Sequence, residues 1–362
     1  MAKVLKNDHV ELTFKEEGGH LDHLTFSDDG EKFSPMHRAP WVGKLTGEHP
    51  VILQQLSGDF FCAPFGESDF EPAPPHGWSS NGDWHVKSHN DTYLSAKLEQ
   101  TIYGATLTKR IVLQEDSPFV YHLHEFEGGK GAIPVSYHAM LKCASPVALS
   151  FSPFTLGFTI DETLEPDPTL GRSLLKYPQT FKRLERVELA EGQFADLSVY
   201  PWNQSHEDIL HLMTSRHQNW SWSAALCKDE GWLYLAIKPS ASLPQTTLWQ
   251  SHGGRDYPPF SSTHTHVLGI EEGNAYSHLG HKASVSSNPI NQQGYSTALP
   301  LLPGTKTRVG YAFGVLKANT DWHRVQTVEV TDDRVVITGD TGTQRKVMFH
   351  SSLLTFSDTS DI

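Results

Sequence analysis

The chain predicts an all-β protein, a large sandwich of antiparallel strands, and three observations lead there. Short runs rich in β-branched and aromatic residues recur along it, several alternating apolar and polar side chains with period two. Turn-forming clusters such as Asp28-Asp29-Gly30 and Gly128-Gly129-Lys130-Gly131 separate these runs. Helical periodicity is nearly absent.

In order, the first strand candidates cover residues 10–14, 21–26, 51–56, 93–102, 106–113, 119–126 and 135–141. The later ones cover 221–226, 232–237, 264–270, 306–313, 325–330 and 335–338, with Asp332-Asp333 turning between the last two. In the run 119–126, Tyr121, Leu123 and Glu125 share one face, and His122, His124 and Phe126 the other. One helix is expected over 207–213, with Ser205 as N-cap and Asp208 three residues on, in capping-box style. Residues 161–204 have weak periodicity and read as an excursion over the sheet surface. No Pro/Ser linker or composition break divides the chain, so one domain over residues 1–362 is expected.

Composition narrows the function classes. Of the 362 residues 38% are hydrophobic and 10% aromatic, nine of them Trp, enough for a substantial core. With 29 basic and 42 acidic residues the formal charge is −13. Such a surface repels phosphate backbones and anionic lipids, and no basic patch offsets it, so neither nucleic acid nor membrane is an expected partner. The N-terminus lacks an apolar signal segment, and Cys62, Cys143 and Cys227 are odd in number and far apart. Free thiols in a cytoplasmic protein are the expectation. There is no G-x-S-x-G elbow and no phosphate-binding glycine loop.

Four segments hold polar side chains beside glycines and aromatics: 58–66 around Asp59, 75–84 with His76, Trp78, Asn81 and Trp84, 134–138 ending in His138, and 249–272 ending in Glu271 and Glu272. Flat rings beside short polar groups suit a sugar, whose ring has apolar faces and hydroxyl edges. Glu271 is expected where the strand 264–270 runs out, a rigid yet reachable position. Glu272 points to the opposite face and is set aside.

Together and in this order, His76-Gly77 with Asn81 and Trp84, His138 at a strand end, and Ile270-Glu271 resemble the galactose mutarotase-like family, the aldose 1-epimerases. The resemblance spans about residues 8–317, leaving the strands after 318 unassigned. It implies a β-supersandwich that interconverts the anomers of a free aldose or sugar derivative, with no cofactor. It further implies Glu271 as general base at the anomeric hydroxyl, His138 as general acid at the ring oxygen, and His76 assisting there. Trp78 or Trp84 would stack on the ring, and Asp59 and Asn81 would bind hydroxyls. The family's Asn-Arg pair is absent from segment 58–66, so Arg38 or Arg255 stands in for that arginine, and Asp256 for a sugar-binding aspartate.

Other readings stand beside this one. A non-catalytic carbohydrate-binding or regulatory protein would use the same sandwich. A cupin-like metal enzyme would use His264-x-His266 with Glu271, imidazole and carboxylate ligands that suit Fe, Mn or Zn. A two-carboxylate glycosidase would pair Asp59 or Asp83 with Glu271.

Overall fold

The computed structural model describes residues 2–203 and 205–355. Two large antiparallel sheets dominate. The first has eight strands, running Gln179–Phe181, Phe154–Thr159, His206–Thr214, Gln245–His252, Val267–Asn274, Val135–Tyr137 and Phe61–Cys62, with Ala139–Lys142 also on Val267–Asn274. The second has nine and includes Trp220–Cys227, Trp232–Pro239, Lys306–Lys317, Phe119–Gly128 and Ala105–Leu113 as neighbours. Leu248, Leu268 and Ile270 of the first sheet meet Phe126, Tyr234, Ala236 and Phe313 of the second in one apolar cluster. A four-stranded N-terminal sheet, Ala2–Lys6 to Glu31–Phe33, adds Leu12, Phe14 and Phe26 to the same core.

The strands after residue 318 also have a place. Val325–Val330, Arg334–Gly339 and Gln344–Met348 form a three-stranded sheet. Its Val325, Val335 and Ile337, with Trp322 and Phe349, pack on Tyr121, Leu123, Leu233 and Leu235 of the nine-stranded sheet. The two faces of Phe119–Gly128 therefore serve two cores: His122, His124 and Phe126 lie opposite Tyr121 and Leu123, as the alternation predicts. Residues 356–362 of that tail lie outside the described residues.

Four expectations need correction. Residues 207–213 are not a helix but the centre of the strand His206–Thr214, buried at all nine positions between Phe154–Thr159 and Gln245–His252. Glu207, Asp208 and His211, expected on a helix, lie inside the sheet. They are internal hydrogen-bonding groups: Asp208, for example, accepts from the backbone N–H of Leu174 and Leu175. Residues 51–56 give a single helical turn, Val51–Gln54, after Pro50. The run 135–141 is broken at His138. The run 264–270 starts only at Val267 but extends to Asn274, so Glu271 lies inside a strand rather than at its end. Of the 161–204 excursion, Gln179–Phe181 and Val199–Tyr200 join the two large sheets.

Candidate active site

Strand parity decides which face Glu271 serves. On Val267–Asn274, Leu268, Ile270 and Glu272 face the core between the sheets, where Glu272 accepts from Thr246 Oγ1 at 2.7 Å and pairs with the buried Lys238. Glu271 therefore points the other way, to the outer face of the eight-stranded sheet. Loops from residues 50–76 and 253–264 cover that face with Ile52, Leu56, Phe60, Phe65 and Phe260, which join Trp249 in a separate apolar cluster.

Register then brings His138 to Glu271. Ser136 pairs with Gly273 and Ala139 with Ile270 on the same strand, which puts His138 across from Glu271. Directly opposed residues are the closest side-chain neighbours of a sheet. The ladder opens at His138 because its N–H donates to Phe60 O at 2.9 Å and to Asp59 Oδ1 at 3.0 Å. Its imidazole is fixed by Phe60, stacked at 4.5 Å, and by the edge of Trp249 at 5.6 Å. His138 Nε2 ends 3.2 Å from Glu271 Oε1.

A glycine makes room for this pair. A Cβ at Gly269 would come within 2.8 Å of Glu271 Oε1 and 3.0 Å of the Trp249 Cβ. His76 approaches His138 at 5.9 Å between ring centroids, with its backbone at φ 65° and its Nδ1 accepting from Gly66 N–H at 3.3 Å.

These groups line a cavity of about 230 Å³, whose polar side chains are His76, His138, Arg255, Glu271 and His278. The remaining lining is hydrocarbon or aromatic, including Ile52, Leu53, Leu56, Phe65 and Trp249. Burial acts on the ionisable groups in opposite senses. It holds the Glu271 carboxyl well above the ordinary range and pushes His138 well below, with His76 adding to the latter. Burial thus opposes charge on both members of the pair. Burial likewise lowers His76 to about 4, helped by His278, and His278 to about 4, helped by Arg255. Glu271 Oε2 has no hydrogen-bond partner among the described residues.

Arg255 enters the cavity beside Glu207, Nε to Oε1 at 3.2 Å, and lies over the Phe260 ring at 4.6 Å. Glu207 also accepts from Trp249 Nε1 at 2.6 Å and Ser251 Oγ at 2.9 Å. Burial raises its carboxyl, partly countered by Arg255. Sequence reasoning missed Glu207, which a helix would have turned to solvent, and missed His278 and Gly269, for which the sequence offers no local signal.

Several expected ligand residues do not line the cavity. Asp59 is fully buried behind it, holding the His138 amide and lying 3.1 Å from His122 Nδ1. Asn81 spends its amide on Pro75 O and Gly77 O and accepts the Ile52 N–H at 3.0 Å. Trp84 is buried with its Nε1 donating to Ser79 O, and the half-buried Trp78 packs against the main core; neither ring lines the cavity. Arg38 pairs with Asp22, and Asp256 takes a two-pronged bond from Arg172 on a surface loop. His264 is engaged by His37 at 2.9 Å and Ser251 at 2.7 Å, away from Glu271, so the His-x-His triplet does not converge. Among the described residues no group of three or more His, Cys, Asp or Glu is arranged to hold a metal ion.

The sequence matches no known family profile and no curated protein. Solved structures do match. A protein from Escherichia coli K12, provisionally named an aldose 1-epimerase, superposes with a TM-score of 0.59 at 13% identity, covering 87% of this chain and 98% of that one. The chain has the galactose mutarotase-like fold. A galactose mutarotase related enzyme from Lactobacillus acidophilus gives 0.53 at 12% identity, covering 89% and 99%. On this mutarotase-like sandwich, the Glu271–His138 pair and its cavity occupy the outer face of the eight-stranded sheet.

Proposed function

We propose that the protein binds a reducing sugar or sugar derivative in this cavity and interconverts its anomers. The observation that carries the reading is the Glu271–His138 contact at 3.2 Å on the wall of an apolar cavity. The anomeric oxygen and the ring oxygen are both bonded to C1, so an acid and a base this close reach both at once. In ring opening Glu271 takes the proton of the anomeric hydroxyl while His138 delivers one to the ring oxygen, breaking the C1–O bond. The aldehyde turns about C1–C2, and closure on its other face returns both protons.

Burial disfavours charge on both groups, so the working arrangement, a carboxylate beside an imidazolium, needs a proton drawn onto His138 as the sugar binds. The 3.2 Å contact makes that transfer direct, and the sugar's hydroxyls solvate the resulting ion pair. His76 stands beside His138, where it supports the developing charge at the ring oxygen. The similar folds of proteins named for aldose epimerisation support the reading.

Magnetisation exchange between α and β anomer resonances, across a panel of aldoses, tests it. Acceleration over buffer that disappears in Glu271→Gln is the expected result. Sugar binding without accelerated exchange would replace it with a non-catalytic carbohydrate-binding role.

A further inference from the structure

Resting on that reading, we infer that the ligand is not a freely hydroxylated sugar but one carrying an apolar portion remote from C1. A deoxy sugar or an alkyl-, acyl- or aryl-substituted reducing sugar meets this description. The cavity offers a sugar few polar partners. Of the five polar side chains in the cavity, Glu271 and His138 serve the anomeric centre. Arg255 already faces Glu207 and lies over Phe260. That leaves His76 and His278, each with one ring nitrogen engaged, His76 by Gly66 N–H and His278 by Ser277 Oγ at 3.0 Å. The hydroxyls of an ordinary hexose that face the cavity lining meet only these two side chains as free polar partners. A buried hydroxyl left unpaired weakens binding by about 5- to 150-fold.

The cavity also has a hydrocarbon lining, a wall made by Ile52, Leu53, Leu56, Phe65, Pro75 and Leu164. Its first part is held in place by design-like constraints on the backbone. Trp41 Nε1 donates to Leu53 O at 2.8 Å, and the Ile52 N–H is held by Asn81 Oδ1. Asn81, a residue type suited to binding hydroxyls, is thus spent on building this wall. The wall rewards an apolar group and offers a hydroxyl nothing. Nor does the site favour a phosphorylated sugar: Arg255, the only permanent cation among the described lining residues, already faces Glu207 at 3.2 Å.

Calorimetric titration of the full chain with D-glucose, 6-deoxy-D-glucose and 6-O-benzyl-D-glucose tests the inference, with anomer exchange read on the same three sugars. The benzyl derivative is expected to bind at least about tenfold tighter than glucose, with the deoxy sugar between them. Glucose binding as tightly as either analogue, or no measurable binding of any of the three, overturns the inference. Exchange without this preference leaves the proposed reaction standing and removes only the ligand class. Preference without exchange keeps the ligand class and removes the reaction.

Discussion

Replacing Asp59 by Ala should unfold the protein far more readily rather than merely weaken ligand binding. The carboxylate is 0% exposed, accepts the His138 N–H at 3.0 Å, and lies 3.1 Å from the imidazole of His122. Losing a hydrogen bond to a charged group costs about 1.5–3 kcal/mol. Burial pushes the His122 imidazole below its ordinary value, so removing the Asp59 carboxylate leaves no buried charge unpaired. The hydrogen bond to His138 dominates, and about 1.5–3 kcal/mol is expected. Urea unfolding followed by intrinsic fluorescence reads it as a shift of the midpoint, with ligand binding measured in parallel below the transition. A loss of less than about 1 kcal/mol together with lost sugar binding would refute the reasoning and return Asp59 to the ligand site.

Further outcomes follow from the same geometry. Burial lowers His138, so the acid limb of the exchange rate should lie below the ordinary histidine range. A fall on the acid side near the ordinary histidine pKa would contradict this. The raised Glu271 carboxyl makes stability fall as pH rises from about 4.5 through the folded-state value. Glu271→Gln should therefore be more stable than wild type near neutrality, a sign that thermal melts at two pH values check. Gly269→Ala should lower exchange on the order of 100-fold and stability by about 1–3 kcal/mol, since its Cβ meets Glu271 and Trp249. Wild-type kinetics in this variant would mean that the pair tolerates displacement. Trp322→Ala should cost about 3–5 kcal/mol in thermal unfolding, because the indole is fully buried under the C-terminal sheet and donates to Thr343 Oγ1 at 2.6 Å. Exchange below the melting range should be unchanged, and a direct loss there would tie that sheet to the site.

Strand alternation made most of the architecture legible in the sequence. The opposite faces of His122 and Tyr121, and of Glu271 and Glu272, follow from period two alone. Local pattern failed where a segment is buried on both faces: His206–Thr214 carries polar residues inside, and their spacing imitates a helix. The run 51–56, apolar throughout its first half, could not be told from a strand, and Pro50 with the Asn81 bond to Ile52 settles it as a turn of helix. At the site, residue type pointed to Glu271, His138, His76 and Arg255, all of which line the cavity. Residue type could not show that Asp59, Asn81 and Trp84 stand behind the wall instead of in it. That depends on long-range contacts such as Asp59 to His138, 79 positions apart. Glu207 and His278 were invisible for the same reason.

The central claim is that Glu271 and His138 act as one proton-carrying unit. Anomer exchange in Glu271→Gln, His138→Asn and the double variant, on the sugar that wild type exchanges fastest, tests it most directly. Each single variant should lose about 100-fold or more, and the double variant should be no slower than the worse of the two. Losses that multiply in the double variant, or a wild type that accelerates no sugar, would contradict the account.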